Sequence, residues 1–193
     1  MMRITLITLM SFLLLSCNGQ NNRNQSDNSR TEKLTEAYNK KDYATFLRLF
    51  PGNFNEFQDF YGFDDVTGEK PLYTVAEKQI EYLFTGVQNE LPLIKKVIPI
   101  AIGGKWDADA VNYFQHNLIN LLENHSDKVF EVLSTKSESE SKQFWYFIFD
   151  SPHPDNEQNK KLIADLSNKF GSENNQISYL KEEFAKVMSE ETH

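Results

Sequence analysis

DADAVNYFQHNLINLL, residues 107–122, carries the clearest periodicity in the chain. Val111, Phe114, Leu118 and Leu121 recur at steps of three, four and three, and Leu122 widens the stripe. Apolar residues at that spacing share one face of a helix; a half-buried strand would need strict alternation. Asp107 stands where an N-cap belongs, so the segment reads as a helix opened by Asp107. A helix with one apolar face is stable only when that face is covered, so its partners must lie in the flanking segments.

Downstream, Ser126 reads as the cap of a shorter helix holding Val129, Phe130 and Leu133. Ser137 with Glu140 forms a capping box, Ser151-Pro152 marks a stop, and Asp155 opens a helix through Leu162, Ile163, Leu166 and Phe170 to Gly171. A last helix carries Ile177, Leu180, Phe184 and Val187. Upstream, residues 31–50 read as one or two short helices, Asp42 capping the second and Pro51 ending it. Asn53 caps the next, with Phe54, Phe57 and Tyr61 inward. Thr74 with Glu77 reads as another capping box, ahead of Ile80, Leu83, Phe84 and Val87. Residues 91–102 are apolar and end at Gly103-Gly104, with a kink expected at Pro99. Phe144-Trp145-Tyr146-Phe147-Ile148-Phe149 has no amphipathic period. It is a helix buried all round or a buried strand, and its capping box and helical surroundings favour the helix. The expected fold is all-α: an irregular helical bundle, or a short stack of helical hairpins like a HEAT or TPR array.

The amino terminus has a different character. Arg3 precedes an apolar run, residues 4–15, of about twelve residues where a membrane-spanning helix needs roughly 20. That is the h-region of a signal peptide. It closes on Leu14-Leu15-Ser16-Cys17, which holds the single cysteine of the chain. This stretch, and only this stretch, resembles the lipobox of bacterial lipoproteins. The resemblance implies cleavage before Cys17, thioether diacylation of its sulfur and acylation of the new amino terminus. With Asn18 after the anchor, it also points to the outer membrane of the cell envelope. Two or more acyl chains make attachment stable, whereas one is marginal. An ordinary secretory signal with a chance cysteine is the alternative. Residues 18–30, NGQNNRNQSDNSR, hold no large apolar residue and read as a flexible tether. The expected organisation is a signal peptide at 1–16, the lipidated cysteine and tether at 17–30, and one helical domain at 31–193.

Removing residues 1–16 takes Arg3 from the 20 Lys+Arg against 28 Asp+Glu, so the processed chain carries a net charge of −9. That balance disfavours nucleic acid, which is held by Lys and Arg on phosphates. It suits a basic protein partner. One cysteine forms no intrachain disulfide.

Signatures of chemistry are sparse. His116 and His125 are nine residues apart, on opposite sides of a continuous helix at about 100° per residue. With His153 and His193 they match no metal-binding spacing. The loop Asp64-Asp65-Val66-Thr67-Gly68-Glu69 lacks the alternating acids of a calcium loop and reads as a turn. Asp150, Ser151, His153 and Asp155 crowd into DSPHPD, but neighbours in sequence seldom form a catalytic triad. No catalytic residue, metal or cofactor is assigned.

Two loops stand out as binding surface. One combines Tyr61 and Phe63 with Asp64 and Asp65; the other sets Trp106 between a glycine pair and Asp107 and Asp109. Aromatic residues in loops recur at binding hot spots. In the other reading, Phe63 and Trp106 close the edge of the core and Asp107 is a cap. The expectation is a lipid-anchored, non-enzymatic envelope protein that binds another protein, with an immunity-type toxin inhibitor as one form. The alternatives are an envelope hydrolase using carboxylates among Asp59, Asp64, Asp65 and Asp109, and a lipoprotein that captures a solute in an apolar pocket.

Overall fold

The structure, a computed structural model, describes residues 18–87 and 89–190. The signal segment 1–16 and Cys17 lie outside the described residues. The fold is all-α, an irregular packing of helices. In chain order these are α1 (Asn18–Asn39), α2 (Tyr43–Leu49) and α3 (Phe54–Tyr61), then a hairpin of β1 (Phe63–Asp64) and β2 (Gly68–Glu69). A 3₁₀ turn (Tyr73–Val75) leads into α4 (Ala76–Thr85), α5 (Glu90–Ala101) and α6 (Ala110–Leu133). The chain continues with α7 (Glu138–Phe149), α8 (Glu157–Phe170) and α9 (Asn175–Glu190). α7 packs on α9 across the intervening α8, and α4 on α6. A stack of consecutive hairpins would pair neighbours throughout, so the bundle is irregular rather than an array.

The aromatic run decides the core. Phe144, Trp145, Phe147, Ile148 and Phe149 are all buried within α7, and Tyr146 is half-buried. The segment is therefore the helix covered on nearly every side, with α5, α6 and α9 against it. Its start is fixed by the Ser137–Glu140 capping box. One apolar core runs from Leu34 in α1 to Val187 in α9. Gly104 marks how closely the chain follows α7: a Cβ there would lie 2.7 Å from the Phe147 ring and 3.1 Å from the Ala101 carbonyl. Glycine is required because the backbone passes directly over the aromatic core.

Local chemistry explains the boundaries. The Asp42 carboxylate accepts from the Thr45 amide (3.1 Å), and the Asn53 side chain accepts from the Glu56 amide (2.9 Å). Four expectations need correction. Thr74 caps nothing: α4 is preceded by the 3₁₀ turn, whose short-range bonds from the Val75 amide to the Leu72 carbonyl and from the Ala76 amide to Tyr73 occupy the leading amides. The helix expected from Asp107 starts at Ala110, because Asp109 takes φ +56° and its carboxylate accepts from the Tyr73 hydroxyl. α8 likewise begins one residue later than Asp155 suggested, with Asn156 as its cap. The separate helix expected at Ser126 is the second half of α6, joined through non-helical backbone at His125 (φ −132°, ψ 33°). Ser126 is instead buried, accepting from the Lys169 ammonium at 3.0 Å. α5 runs through Pro99 as far as Ala101.

α1 extends back to Asn18, so the stretch assigned to a flexible tether has helical backbone. Arg30 fastens this helix to the bundle. Its guanidinium donates to the Leu49 carbonyl (2.9 Å), the Phe50 carbonyl (3.1 Å) and the Glu56 carboxylate (2.9 Å), and it lies 5.0 Å from the centre of the Phe60 ring. Among the described residues no helix is long and apolar enough to cross a membrane.

Candidate functional site

The two loops singled out in the sequence meet. The Tyr73 hydroxyl, following the hairpin, donates to Asp109 (2.5 Å), and Gln58 Nε2 donates to Asp107 (3.5 Å). A cavity of about 20 Å³ between Gln58, Phe63, Tyr73, Asp107 and Asp109 closes the seam, too small for anything beyond water. Segments some 40 residues apart thus form one surface, carrying Asp64, Asp65, Glu69, Asp107 and Asp109.

At its tip the hairpin turns on Asp64. One oxygen of this carboxylate accepts from the Val66 amide (3.0 Å), the Thr67 amide (2.7 Å) and the Thr67 hydroxyl (3.0 Å). Gly68 follows at φ +79°, which a residue with a Cβ rarely adopts. The turn pushes two apolar side chains outward. Phe63 is 53% exposed, tilted against the Tyr73 ring at 5.8 Å, and Val66 is 94% exposed. They are the exposed large hydrophobics among the described residues.

The sequence-selected residues therefore separate. Tyr61 does not belong to the surface. It is fully buried beside Phe50 and Phe57, with its hydroxyl donating to Gln79 Oε1 at 2.8 Å. Phe63 is on the surface rather than closing the core edge. Trp106 is half-buried, its amide donating to the Asp150 carboxylate (2.7 Å), and it lines a shallow cavity of about 330 Å³ with Ser151, Pro152 and His153. Asp107 accepts from the Ala108 amide without capping the helix. Two residues were missed. Val66, a lone apolar side chain in an acidic turn, is a signal the sequence contains; Tyr73 gives none, since its role rests on a tertiary contact.

Several of the carboxylates are engaged locally. Asp150 serves Trp106, Asp155 pairs with Lys160 (2.7 Å) and Asp109 holds Tyr73. None is hydrogen-bonded to His153 or Ser151, so DSPHPD builds no triad among these groups. Among the described residues there is no group of three or more His, Cys, Asp or Glu that could hold a metal ion.

The backbone and side-chain hydrogen bonds from Thr67, then that from Val66, hold the Asp64 carboxyl below the usual carboxylate range. A folded pKa depressed in this way contributes order to the turn above the unfolded value, and the contribution is lost as pH falls through the folded one. In an NMR titration, the Val66 and Thr67 amide signals should move together with a midpoint below that of an ordinary aspartate. Asp64→Asn should remove the transition. A midpoint at or above the ordinary value would contradict the turn.

No protein-family model, curated protein or solved structure matches the chain.

Proposed function

We propose that the chain is a lipid-anchored, non-enzymatic protein of the bacterial cell envelope that binds a basic protein through the hairpin surface. The observation that carries this reading is the exposure of Phe63 and Val66 on a hairpin that also carries Asp64, Asp65 and Glu69, with Asp107 and Asp109 across the seam from Phe63. An apolar tip within a charged rim is the anatomy of a protein interface: the centre supplies affinity and the rim selects charge. A net charge of −9 on the processed chain favours a basic partner at long range. An immunity-type role, with a basic toxin as the bound protein, is one form that this surface fits. The anchor is Cys17 in the lipobox resemblance, and the helix α1 that Arg30 clamps links it to the domain.

The test uses the native strain. A photo-crosslinking residue at Val66 should give one discrete adduct with a basic envelope protein. The same group at Asp165, exposed on α8, should give none. Cys17→Ser should shift the protein from the membrane to the soluble fraction. No adduct from Val66, or an unchanged membrane fraction for Cys17→Ser, would overturn the corresponding half of the reading.

A further inference from the structure

The connector between α7 and α8 is fastened through its backbone. Gln115 Nε2, from α6, donates to the Asp150 carbonyl (2.8 Å), Asn156 Nδ2 to the His153 carbonyl (2.7 Å) and Asn159 Nδ2 to the Pro154 carbonyl (2.9 Å). Pro152 and Pro154 fix φ within the span, and the Asp150 carboxylate ties the neighbouring loop through the Trp106 amide. The side chains of Ser151 and His153 take no part in this. Neither the hydroxyl nor the ring forms a hydrogen bond or ion pair with the described residues. Both line the shallow hollow of about 330 Å³ that Trp106 also lines.

The other walls are open in the same way. Trp106 is half-buried, and its indole N–H, a group that a folded chain usually satisfies, has no partner among the described residues and is not enclosed. The Asn112 amide is exposed on the first turn of α6 without a bond, and Asp109 gives only one oxygen to Tyr73. No lysine or arginine lines the hollow. A stiff frame thus presents polar groups that the fold leaves unused around an indole. Hydroxyl, amide and imidazole can each donate and accept, the indole donates and the carboxylate accepts. A ligand rich in hydroxyl groups, which also donate and accept, answers all of them at once. A phosphate or carboxylate would find no cation and would meet Asp109. The flat C–H face of a sugar ring packs on an indole and buries apolar area. We propose that this hollow binds one uncharged pyranose ring, seated on Trp106 with its hydroxyls on Asn112, Ser151, His153 and Asp109. The volume is at the lower end for small-ligand sites, enough for one ring, and the shallow rim lets that ring belong to a longer glycan. The site shares Asp109 with the hairpin seam but includes neither Phe63 nor Val66, so it does not depend on the protein partner.

An NMR titration of the isotope-labelled full chain, in a detergent without a sugar headgroup, tests this with two probes: methyl β-glucoside and the methyl β-glycoside of N-acetylglucosamine. Both rings hold their substituents equatorially and so offer a flat C–H face. At least one should bind saturably with a Kd of about 1–10 mM. It should move the indole N–H signal of Trp106 and leave that of Trp145, which is buried and donates to Gln176, in place. Trp106→Ala should abolish binding. Asn112→Ala with His153→Ala should weaken it at least tenfold at an unchanged melting temperature, because both side chains are exposed and unbonded. That double variant reports even where Trp106→Ala disturbs the fold. No shift of the Trp106 signal by either sugar up to about 50 mM would overturn the proposal. So would unchanged affinity in the double variant. Methyl glucuronide or tetramethylammonium binding as tightly as the better sugar would also overturn it, in favour of a site for an anion or a cation.

Discussion

Trp145→Ala should lower the melting temperature by about 10–20 °C, followed by far-UV circular dichroism. The side chain is fully buried, with Phe130 and Phe144 edge-on against it at 5.7 and 5.1 Å. Truncating a buried aromatic ring costs about 3–5 kcal/mol in transfer and cavity energy. The indole also donates to Gln176 Oε1 at 2.9 Å, and Gln176 Nε2 donates in turn to Ser141 Oγ at 3.0 Å. Leaving that buried carbonyl without its donor adds about 1–3 kcal/mol. The sum approaches the whole stability of an ordinary domain, about 5–15 kcal/mol. Trp145→Phe separates the parts: it keeps most of the ring and loses the bond, so its loss should be the smaller. A fall below about 3 °C for Trp145→Ala would mean that α7 is not the centre of the core.

The position of α7 was legible as far as composition allows. Six large apolar residues without a period pointed to a buried helix or strand, and the Ser137–Glu140 capping box favoured the helix. Caps at Asp42, Asn53 and Ser137 were legible for the same reason: each is a local bond between a side chain and an amide three residues on. The misread boundaries at Thr74, Asp107 and Ser126 looked equivalent in sequence; a local 3₁₀ turn decided the first and tertiary contacts the other two. Asp109 is held by Tyr73, and Ser126 is held by Lys169. The loop pair was legible as aromatic residues among acids. That the two loops touch was not, because sequence carries no sign of the Tyr73–Asp109 bond. Tyr61 was named both as an inward helix residue and as a surface candidate, and the helical period was the sounder guide. The walls of the Trp106 hollow were legible as DSPHPD and the Trp106 loop; that they meet was not, since they lie on separated segments.

With the crosslinked partner purified, Phe63→Ala with Val66→Asp should weaken its binding about 100-fold or more, measured by surface plasmon resonance. Both side chains stand in water in the free protein, so burying them in a partner recovers apolar area with little rearrangement of this chain. An aspartate at Val66 would carry a charge into the same desolvated pocket, which adds its desolvation cost to the lost contact. The change should appear mainly in the dissociation rate, because short-range packing governs escape. Asp65→Asn with Glu69→Gln should act differently. These carboxylates are exposed rim charges, so their loss should slow association, flatten its salt dependence and leave dissociation nearly unchanged. Val66 is 94% and Phe63 53% exposed, and Asp65 and Glu69 are exposed, so the melting temperature of both double variants should stay close to that of the wild type. Equal kinetics for the apolar and the charge variants would mean that the hairpin tip only borders the contact. A partner that binds Phe63→Ala/Val66→Asp as tightly as the wild type would remove the hairpin from the interface altogether.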